Sequence, residues 1–337
     1  RHFLFPDADD AQFADAYAQT LTYSLLLARI GGAEELETSK AAAALDTGHS
    51  LLAQTLRVLS DPRVEQEIGF AVGLLRRVIE AVDPAVLESD NEDPWLYFYE
   101  DFLAAYDPAL RNNRGVYYTP VQVVKAQVRL VSQLLQQRFN KPLGFADDDV
   151  VLLDPAVGTG TYPLAAFEHG ARLVAERFGD GAADGRATVM ANNFYAFELL
   201  VGPYAVAHLR LTQRMQDAGA TLPPEGVHVY LTDTLESPHA APPGQQTLFH
   251  KQLAEEHKRA QKVKASKRVL VCIGNPPYDR QVIDPDAVGE ERKGGWVRFG
   301  DGPGDRPILE DFLEPARAAG QGVHLKNLYN DYVYFWR

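Results

Sequence analysis

From residue 120 onward, short apolar runs alternate with longer segments that carry apolar residues at helical spacing. The longer segments predict helices over 121–137, 162–177 and 203–217. The short runs predict strands over 150–153, 227–231 and 269–273, and one that ends near residue 198. Strands that alternate with helices form a parallel sheet with helices on both faces. The pattern therefore predicts an α/β fold for this part of the chain.

The first 110 residues carry apolar residues at helical spacing only. A first predicted helix has an apolar face formed by Phe13, Tyr17, Leu21, Leu25 and Ala28. A second begins at Asp61 and Pro62, and its predicted face is formed by Val64, Ile68, Ala71, Leu75 and Val78. Asp93 and Pro94 predict the start of a third. We therefore predict an all-helical N-terminal domain over residues 1–112 that braces a second domain over residues 113–337.

Composition excludes several classes of protein. The chain has 337 residues, 46% hydrophobic and 23% charged, which is enough for two globular domains. It has neither the roughly 18 consecutive apolar residues of a membrane span nor an N-terminal secretion signal, so we expect a cytoplasmic protein. The single cysteine, Cys272, excludes a disulfide framework, and the histidines have no metal-ligand spacing, so no metal is predicted. The net charge of -13 argues against nonspecific coating of nucleic acid but permits a local basic groove.

Polar residues and glycines follow the predicted strands. The sequence DPAVGTG at 154–160 follows the first strand, and its glycines let the backbone approach a ligand where a helix begins. A lone Gly-x-Gly is common in such turns, and a third glycine at dinucleotide spacing is absent. Glu198 can accept both hydroxyls of a ribose, and Asp233 can accept a hydrogen bond from an adenine amino group. Each acid alone is more often a cap or a solvated charge, but together they predict a ligand at the carboxyl ends of the strands.

Two further segments flank this predicted edge. NPPY at 275–278 follows the fourth strand and forms a rigid pocket for a flat, amino-bearing group, although by itself it could be a turn. Thr119 and Pro120 either cap the helix that follows or, with Tyr118, close over the charged tail of a cofactor.

In this order along the chain, the YTP, DPAVGTG and NPPY segments with Glu198 and Asp233 resemble the gamma-class N6-adenine DNA methyltransferases. The wider context, FYAFELLVGPYAVAHLRL at 194–211 and LKNLYNDYVYFW at 325–336, resembles the methyltransferase region of type ISP single-chain restriction-modification enzymes. The resemblance implies a Rossmann-like S-adenosylmethionine-dependent methyltransferase fold after the helical domain.

The resemblance also implies a role for each matching residue. The residues that would bind S-adenosylmethionine are Tyr118, Thr119, Pro120, Asp154, Ala156, Gly158, Gly160, Glu198 and Asp233. Within that set, Asp154 and the two glycines would hold the methionine part, Glu198 the ribose and Asp233 the adenine. The catalytic segment would be Asn275, Pro276, Pro277 and Tyr278. There Asn275 and the Pro276 carbonyl would accept hydrogen bonds from the target amino group, and Tyr278 would stack on the base.

The function implied is site-specific methylation of a flipped-out adenine in double-stranded DNA, in a restriction-modification or anti-phage system. The implied partners are a target-recognition domain or subunit and a restriction nuclease or helicase. The sequence contains no recognisable target-recognition domain. It predicts four strands, whereas the resemblance implies about seven, so we expect a fragment of a longer protein with an incomplete catalytic domain. Two alternatives stay open: a protein glutamine N5-methyltransferase, which also uses NPPY, and a non-catalytic cofactor-binding module that docks a specificity subunit.

Two basic segments have two interpretations each. The segment 234–268 looks like an insertion, and its lysines and arginines predict either a solvated helix or an arm that contacts DNA phosphates. The loop over 279–306, which contains Arg298, either covers the flipped base or is disordered.

Overall fold

The computed structural model of the protein describes residues 10–30, 33, 35–45, 53, 56–57, 62–83, 119–240, 248–277, 295–301 and 304–336. The helices before the sheet are α1 (Asp10–Ile30), α2 (Thr38–Leu45), α3 (Pro62–Glu80) and α4 (Val121–Arg138). Those among the strands are α5 (Thr161–Phe178), α6 (Asp180–Asn193), α7 (Val201–Asp217) and α8 (Leu248–Ser266). Those after them are α9 (Gly295–Phe299), α10 (Glu310–Ala318) and α11 (Asp331–Tyr334). The strands are β1 (Leu152–Asp154), β2 (Phe194–Glu198), β3 (His228–Leu231) and β4 (Val271–Cys272). The third helix predicted for the N-terminal region lies outside the described residues.

The four strands form one parallel sheet in the order β3-β2-β1-β4. Leu152 of β1 pairs with Phe194 of β2 on one side and with Val271 of β4 on the other. The prediction of an α/β fold with a parallel sheet is therefore confirmed. The chain builds outward from β1 to β3 and then returns to place β4 on the opposite side of β1. Ligands of such sheets bind at the carboxyl ends of the strands beside this change of direction.

Side chains of the strands alternate between two apolar clusters, as the period of two in a strand requires. Phe194 and Ala196 of β2 face the larger cluster, which α4 to α7 cover. Tyr195 and Phe197 face the opposite side and pack with Ala260 and Val263 of α8. The prediction that 234–268 is an insertion is therefore wrong. Helix α8 connects β3 to β4 and covers the second face of the sheet. Its outer side is exposed, as a solvated helix would be.

Helix α7 is buried along most of its length between the sheet and helix α1. Gly202 lies against α1, where a Cβ atom would come within 3.4 Å of the Tyr23 ring. Leu25 of α1 and Leu211 of α7 belong to one continuous apolar cluster. The N-terminal helix thus packs directly on the α/β part of the chain. The boundary predicted at 112/113 lies outside the described residues and stays a prediction.

Helix α3 begins at Pro62 as predicted, but its predicted apolar face is only partly right. Ile68 and Leu75 pack against the core, whereas Val78 is 58% exposed. The buried positions are Val72 and Ile79 instead. The helix carries apolar residues on two sides, and spacing alone does not tell which side meets the neighbouring helices.

Helix α6 was not predicted from the sequence, since its alanines, glycines and aspartates show no strong apolar period. It packs on α5, where a Cβ atom at Gly170 would lie only 2.7 Å from the Met190 sulfur. None of the helices within the described ranges is long and apolar enough to cross a membrane.

Candidate functional site at the carboxyl ends of the strands

The register of the sheet brings the predicted site residues to one edge. Asp154, the last residue of β1, pairs with Ala196 of β2, and Glu198, the last residue of β2, pairs with Leu231 of β3. On the other side of β1, the Ile273 amide donates to the Leu153 carbonyl at 3.0 Å and carries the pairing of β4 one residue further. Residues 154, 198, 233 and 275 therefore all lie at or just beyond the carboxyl ends of neighbouring strands.

The glycines of the DPAVGTG loop have different tasks. Gly158 and Gly160 both adopt positive φ, +55° and +91°, which other residues rarely do. A Cβ atom at Gly160 would lie 3.3 Å from Cα of Ala207, so this glycine allows α7 to pack against the start of α5. A Cβ atom at Gly158 would meet nothing within 4 Å. Gly158 thus faces open space where a ligand could approach the backbone.

Glu198 connects this loop to α7. Its Oε2 accepts a hydrogen bond from the Gly158 amide at 2.9 Å, and its Oε1 accepts from the Leu199 and Leu200 amides at 2.8 Å each. Burial raises the pKa of Glu198, and these three donors oppose that shift by stabilising the charge. A carboxylate oxygen can accept more than one hydrogen bond, so Oε2 can still bind a ligand hydroxyl.

Asp154 is fully buried at the centre of the edge. Its Oδ1 accepts a hydrogen bond from the Ala156 amide at 3.1 Å, whereas its Oδ2 has no partner in the described part of the chain. Burial raises the pKa of Asp154 to about 8, and the charge of Glu198 adds to the shift. Because the raised pKa keeps a proton on this buried carboxyl at neutral pH, a ligand that brings a cationic N–H group here would favour its ionised form.

The loop after β3 is fixed by hydrogen bonds within it and to two neighbouring segments. Asp233 accepts a hydrogen bond from the Leu235 amide at 2.8 Å through one carboxylate oxygen. The Thr234 hydroxyl donates to the Pro155 carbonyl and so ties this loop to the DPAVGTG loop. Lys264 of α8 donates to the Asp233 carbonyl at 2.6 Å. Asp233 itself is exposed to solvent at this edge of the sheet.

The C-terminal helices pack on Leu235 and so support the same loop. Their cluster consists of Leu235, Val297, Leu309, Leu313 and Tyr334. Arg298 stacks on the Tyr329 ring, with its guanidinium carbon 4.4 Å from the ring centroid. The cover over a base predicted for the loop 279–306 falls mostly outside the described residues and stays a prediction.

The catalytic segment predicted from NPPY is described as far as Pro277. Asn275, Pro276 and Pro277 are partly exposed and follow β4 directly. Tyr278 and Tyr118 lie outside the described residues, and their predicted roles stay predictions.

Thr119 contacts the site through Tyr162. The Thr119 side chain hydrogen-bonds to Tyr162 in the first turn of α5, and the Tyr162 hydroxyl donates to Gln127 at 2.6 Å. The N-cap of α4 is Pro120, with no side-chain capping bond, so the prediction that Thr119 caps this helix is wrong. Thr119 lies instead beside Tyr162, which follows the DPAVGTG loop, and its predicted contact with the cofactor stays a prediction.

Arg210 of α7 contacts the DPAVGTG loop and was not predicted from the sequence. It is 5% exposed, and its guanidinium donates to the Thr159 carbonyl between the two glycines. Burial lowers the pKa of Arg210 to about 9, so the group keeps its charge at neutral pH. In the sequence, Arg210 is an arginine between two leucines of a predicted helix, and this pattern alone does not tell which group the arginine contacts.

Within the ranges that the structure covers, no three His, Cys, Asp or Glu side chains are grouped so that they could hold a metal ion.

Comparisons with known proteins agree with this geometry. The family model of the N-6 DNA methylases matches residues 92–296. Among solved structures, a cryo-electron microscopy complex of DrdV with DNA matches 98% of this chain and 29% of its own, with a TM-score of 0.64 and 20% identity. The ATP-dependent type ISP restriction-modification enzyme LlaBIII bound to DNA matches 98% of this chain and 21% of its own, with a TM-score of 0.63 and 18% identity.

A nuclease-deletion mutant of the type ISP enzyme LlaGI, in complex with a DNA substrate mimic, matches 97% of this chain and 24% of its own, with a TM-score of 0.59 and 16% identity. The chain thus spans less than a third of the length of each of these proteins, and identities this low show a shared fold. A search of curated protein sequences finds no match. The family match covers more than half of the chain and confirms the resemblance read from the motifs. The chain belongs to the N-6 DNA methylase family.

Proposed function

We propose that this protein transfers a methyl group from S-adenosylmethionine to the exocyclic N6 atom of an adenine flipped out of double-stranded DNA. The observation that carries the proposal is the convergence of Asp154, Glu198 and Asp233 with the open Gly158 loop and the Asn275 segment at one sheet edge. An acceptor-rich cleft beside a glycine loop suits a nucleoside with a cationic tail.

The residues present fit the cofactor. The free Oδ2 of Asp154 suits its ammonium group, and the open space at Gly158 admits its methionine part, with Ala156 beside it and Thr119 and Pro120 at the border. Glu198 suits the ribose hydroxyls and Asp233 the adenine amino group. When bound, the cofactor supplies an activated methyl group on a sulfonium.

The Asn275 segment fits the acceptor side of the reaction. The exocyclic amine of adenine is a poor nucleophile, because its lone pair is delocalised into the ring. The amide oxygen of Asn275 and the carbonyl of Pro276 can accept its two hydrogens and turn the nitrogen lone pair outward. Pro277 keeps that segment rigid, and Tyr278 would stack on the flipped base and offset part of the cost of unstacking. Positioning of this kind can supply much of the rate enhancement.

We further propose that the protein acts in the cytoplasm as part of a restriction-modification or related anti-phage system. DrdV and LlaBIII, which share the fold, were solved with DNA, and LlaBIII is a restriction-modification enzyme. Its partners would be a target-recognition domain or subunit and a restriction nuclease or helicase.

The test is transfer of a tritiated methyl group from S-adenosylmethionine to unmethylated genomic DNA by the full-length protein, with Asn275→Ala as the control. Label recovered as N6-methyladenine and lost in Asn275→Ala supports the proposal. Label recovered on protein glutamine would replace it with protein methylation. Cofactor binding without any label, and biological protection unchanged in Asn275→Ala, would favour a binding module that docks a specificity subunit.

A further inference from the structure

Gly274 lies where the predicted cofactor side and the predicted target side of the site meet. It directly precedes Asn275 and lies just beyond strand β4, which pairs with β1, the strand that ends at Asp154. A Cβ atom at Gly274 would lie well inside 3.0 Å of Asp154 Oδ1 and 3.4 Å from Cδ of Pro155. Real Cβ atoms essentially never approach another atom within 3.0 Å.

The need for glycine at this position is spatial and not conformational. Gly274 is not one of the glycines with positive φ in the described segments. An alanine could therefore adopt its backbone conformation. The space for the added methyl group, however, is filled by the carboxyl of Asp154.

That carboxyl has little freedom to move aside. Asp154 is fully buried, and its Oδ1 is held by the Ala156 amide at 3.1 Å. Rotation away from a methyl group at residue 274 would break this hydrogen bond and turn Oδ2 away from its present direction. Tightly packed interiors transmit such displacements to their neighbours.

We propose that Gly274 is a positioning residue of the methyltransferase site: because it has no side chain, the Asp154 carboxyl can keep its cofactor-binding orientation beside the residue that precedes Asn275. The inference rests on the proposed function, because it assigns the Asp154 carboxyl to the cofactor. The size of the side chain at residue 274 then controls cofactor affinity, although the residue belongs to the target-base segment.

The experiment is calorimetric titration of the full-length protein with S-adenosylmethionine in the absence of DNA. Gly274→Ala should lower the affinity by about tenfold or more, equivalent to the loss of one good contact. Gly185→Ala is the matched control, because a Cβ atom there would meet nothing within 4 Å. The control should bind as the wild type does, and Gly274→Ala binding as tightly as the control would overturn the inference.

A double-mutant cycle identifies the contact responsible. In an Asp154→Ala background the carboxyl is gone, so adding Gly274→Ala should change neither the remaining cofactor affinity nor the unfolding free energy appreciably. An equal effect in both backgrounds would overturn the inference, since Gly274 would then act through another neighbour. If Gly274→Ala alone does not fold, folding of the double variant supports the contact and its failure to fold overturns it. A wild type that does not bind S-adenosylmethionine would instead contradict the proposed function itself.

Discussion

At the scale of single residues, the chemistry of Asp154 depends strongly on its surroundings. It is an acid whose ordinary pKa of 3.8 rises to about 8 in the folded protein, because its carboxyl is buried. The folded protein therefore keeps a proton on Asp154 over a range of pH in which the unfolded chain has released it.

The first prediction concerns the pH dependence of stability. The proton on Asp154 stabilises the fold fully below about pH 4, and this contribution is lost as the pH rises through about 8. Relative to Asp154→Asn, the free energy of unfolding of the wild type should fall by up to about 1.4 kcal/mol per pH unit within that window. Urea unfolding of both proteins from pH 5 to 8.5 measures it. Parallel curves would show that Asp154 is already ionised in the ligand-free protein.

The second prediction separates the two glycines of the DPAVGTG loop. Gly158→Ala should destabilise the protein by only about 1–2 kcal/mol, the cost of a left-handed residue, because its methyl group meets no neighbour. Gly160→Ala should destabilise it more, since its methyl group also presses on Ala207. Cofactor affinity should fall in Gly158→Ala nonetheless, because the methyl group occupies the open space above the loop. Urea unfolding measures the stability of the two variants, and titration calorimetry measures their cofactor affinity. Equal losses of stability in the two variants would contradict the different roles of Gly158 and Gly160.

At the scale of elements, α7 is the helix that holds the site together. Glu198 accepts hydrogen bonds just before its first turn, Arg210 reaches the Thr159 carbonyl, and the Tyr204 hydroxyl donates to Glu256 of α8 at 2.9 Å. Burial raises the pKa of Glu256 to about 7. Helix α7 and the residues just before it therefore contact the DPAVGTG loop, the acid that ends β2 and helix α8.

The third prediction concerns α8 and its two sides. Val263→Ala should cost about 1–3 kcal/mol, because Val263 packs with Phe197 and Tyr230 under the sheet. Lys262→Ala, one residue away on the exposed side, should change the unfolding free energy by less than about 0.5 kcal/mol. Thermal and urea unfolding of both variants measure the difference.

The same lysine variant tests the phosphate-contacting arm. If Lys262 contacts DNA phosphate, Lys262→Ala should lower the slope of log affinity against log salt concentration by about one. An unchanged slope would support the solvated-helix interpretation of this side of α8. Lys258→Ala is a second variant for the same salt titration. Unlike Lys262, for which the structure shows no ion pair in its described part, Lys258 forms an ion pair with Glu255 at 3.2 Å.

At the scale of the whole molecule, the N-terminal helix and the sheet share a core. Tyr23 and Leu25 of α1 are nearly fully buried and belong to the same cluster as Leu152 of β1 and Leu211 of α7. Removal of that helix would expose the outer side of α7 next to the residues that support the glycine loop.

The fourth prediction follows from this shared core. Tyr23→Ala should destabilise the protein by about 3–5 kcal/mol, and α1 and the sheet should still unfold in one transition. Phe70→Ala is the aromatic control, because Phe70 is 83% exposed, and it should have little effect. Circular dichroism and tryptophan fluorescence followed through the same urea titration measure the cooperativity. Two separate transitions would show that the helical region folds as an independent domain.

The parallel sheet, the sequence positions of its four strands and the edge at which the candidate site lies could be predicted from the sequence. Strand and helix periods, the conformational freedom of Gly158 and Gly160 and the position of an acid after a strand are local properties of the chain. Once parallel strands are inferred, their carboxyl ends must meet at one edge, so Asp154, Glu198 and Asp233 could be placed together. The motif resemblance then named the family that the comparison confirms.

Only the tertiary structure decided which atoms touch. The Gly274 contact with Asp154, the Arg210 bond to Thr159 and the place of α8 on the second face of the sheet join residues far apart in sequence. The buried side of α3 was likewise decided by its neighbours, because two apolar sides were available. Such contacts depend on the packing of several elements at once, and no local period or propensity carries that information.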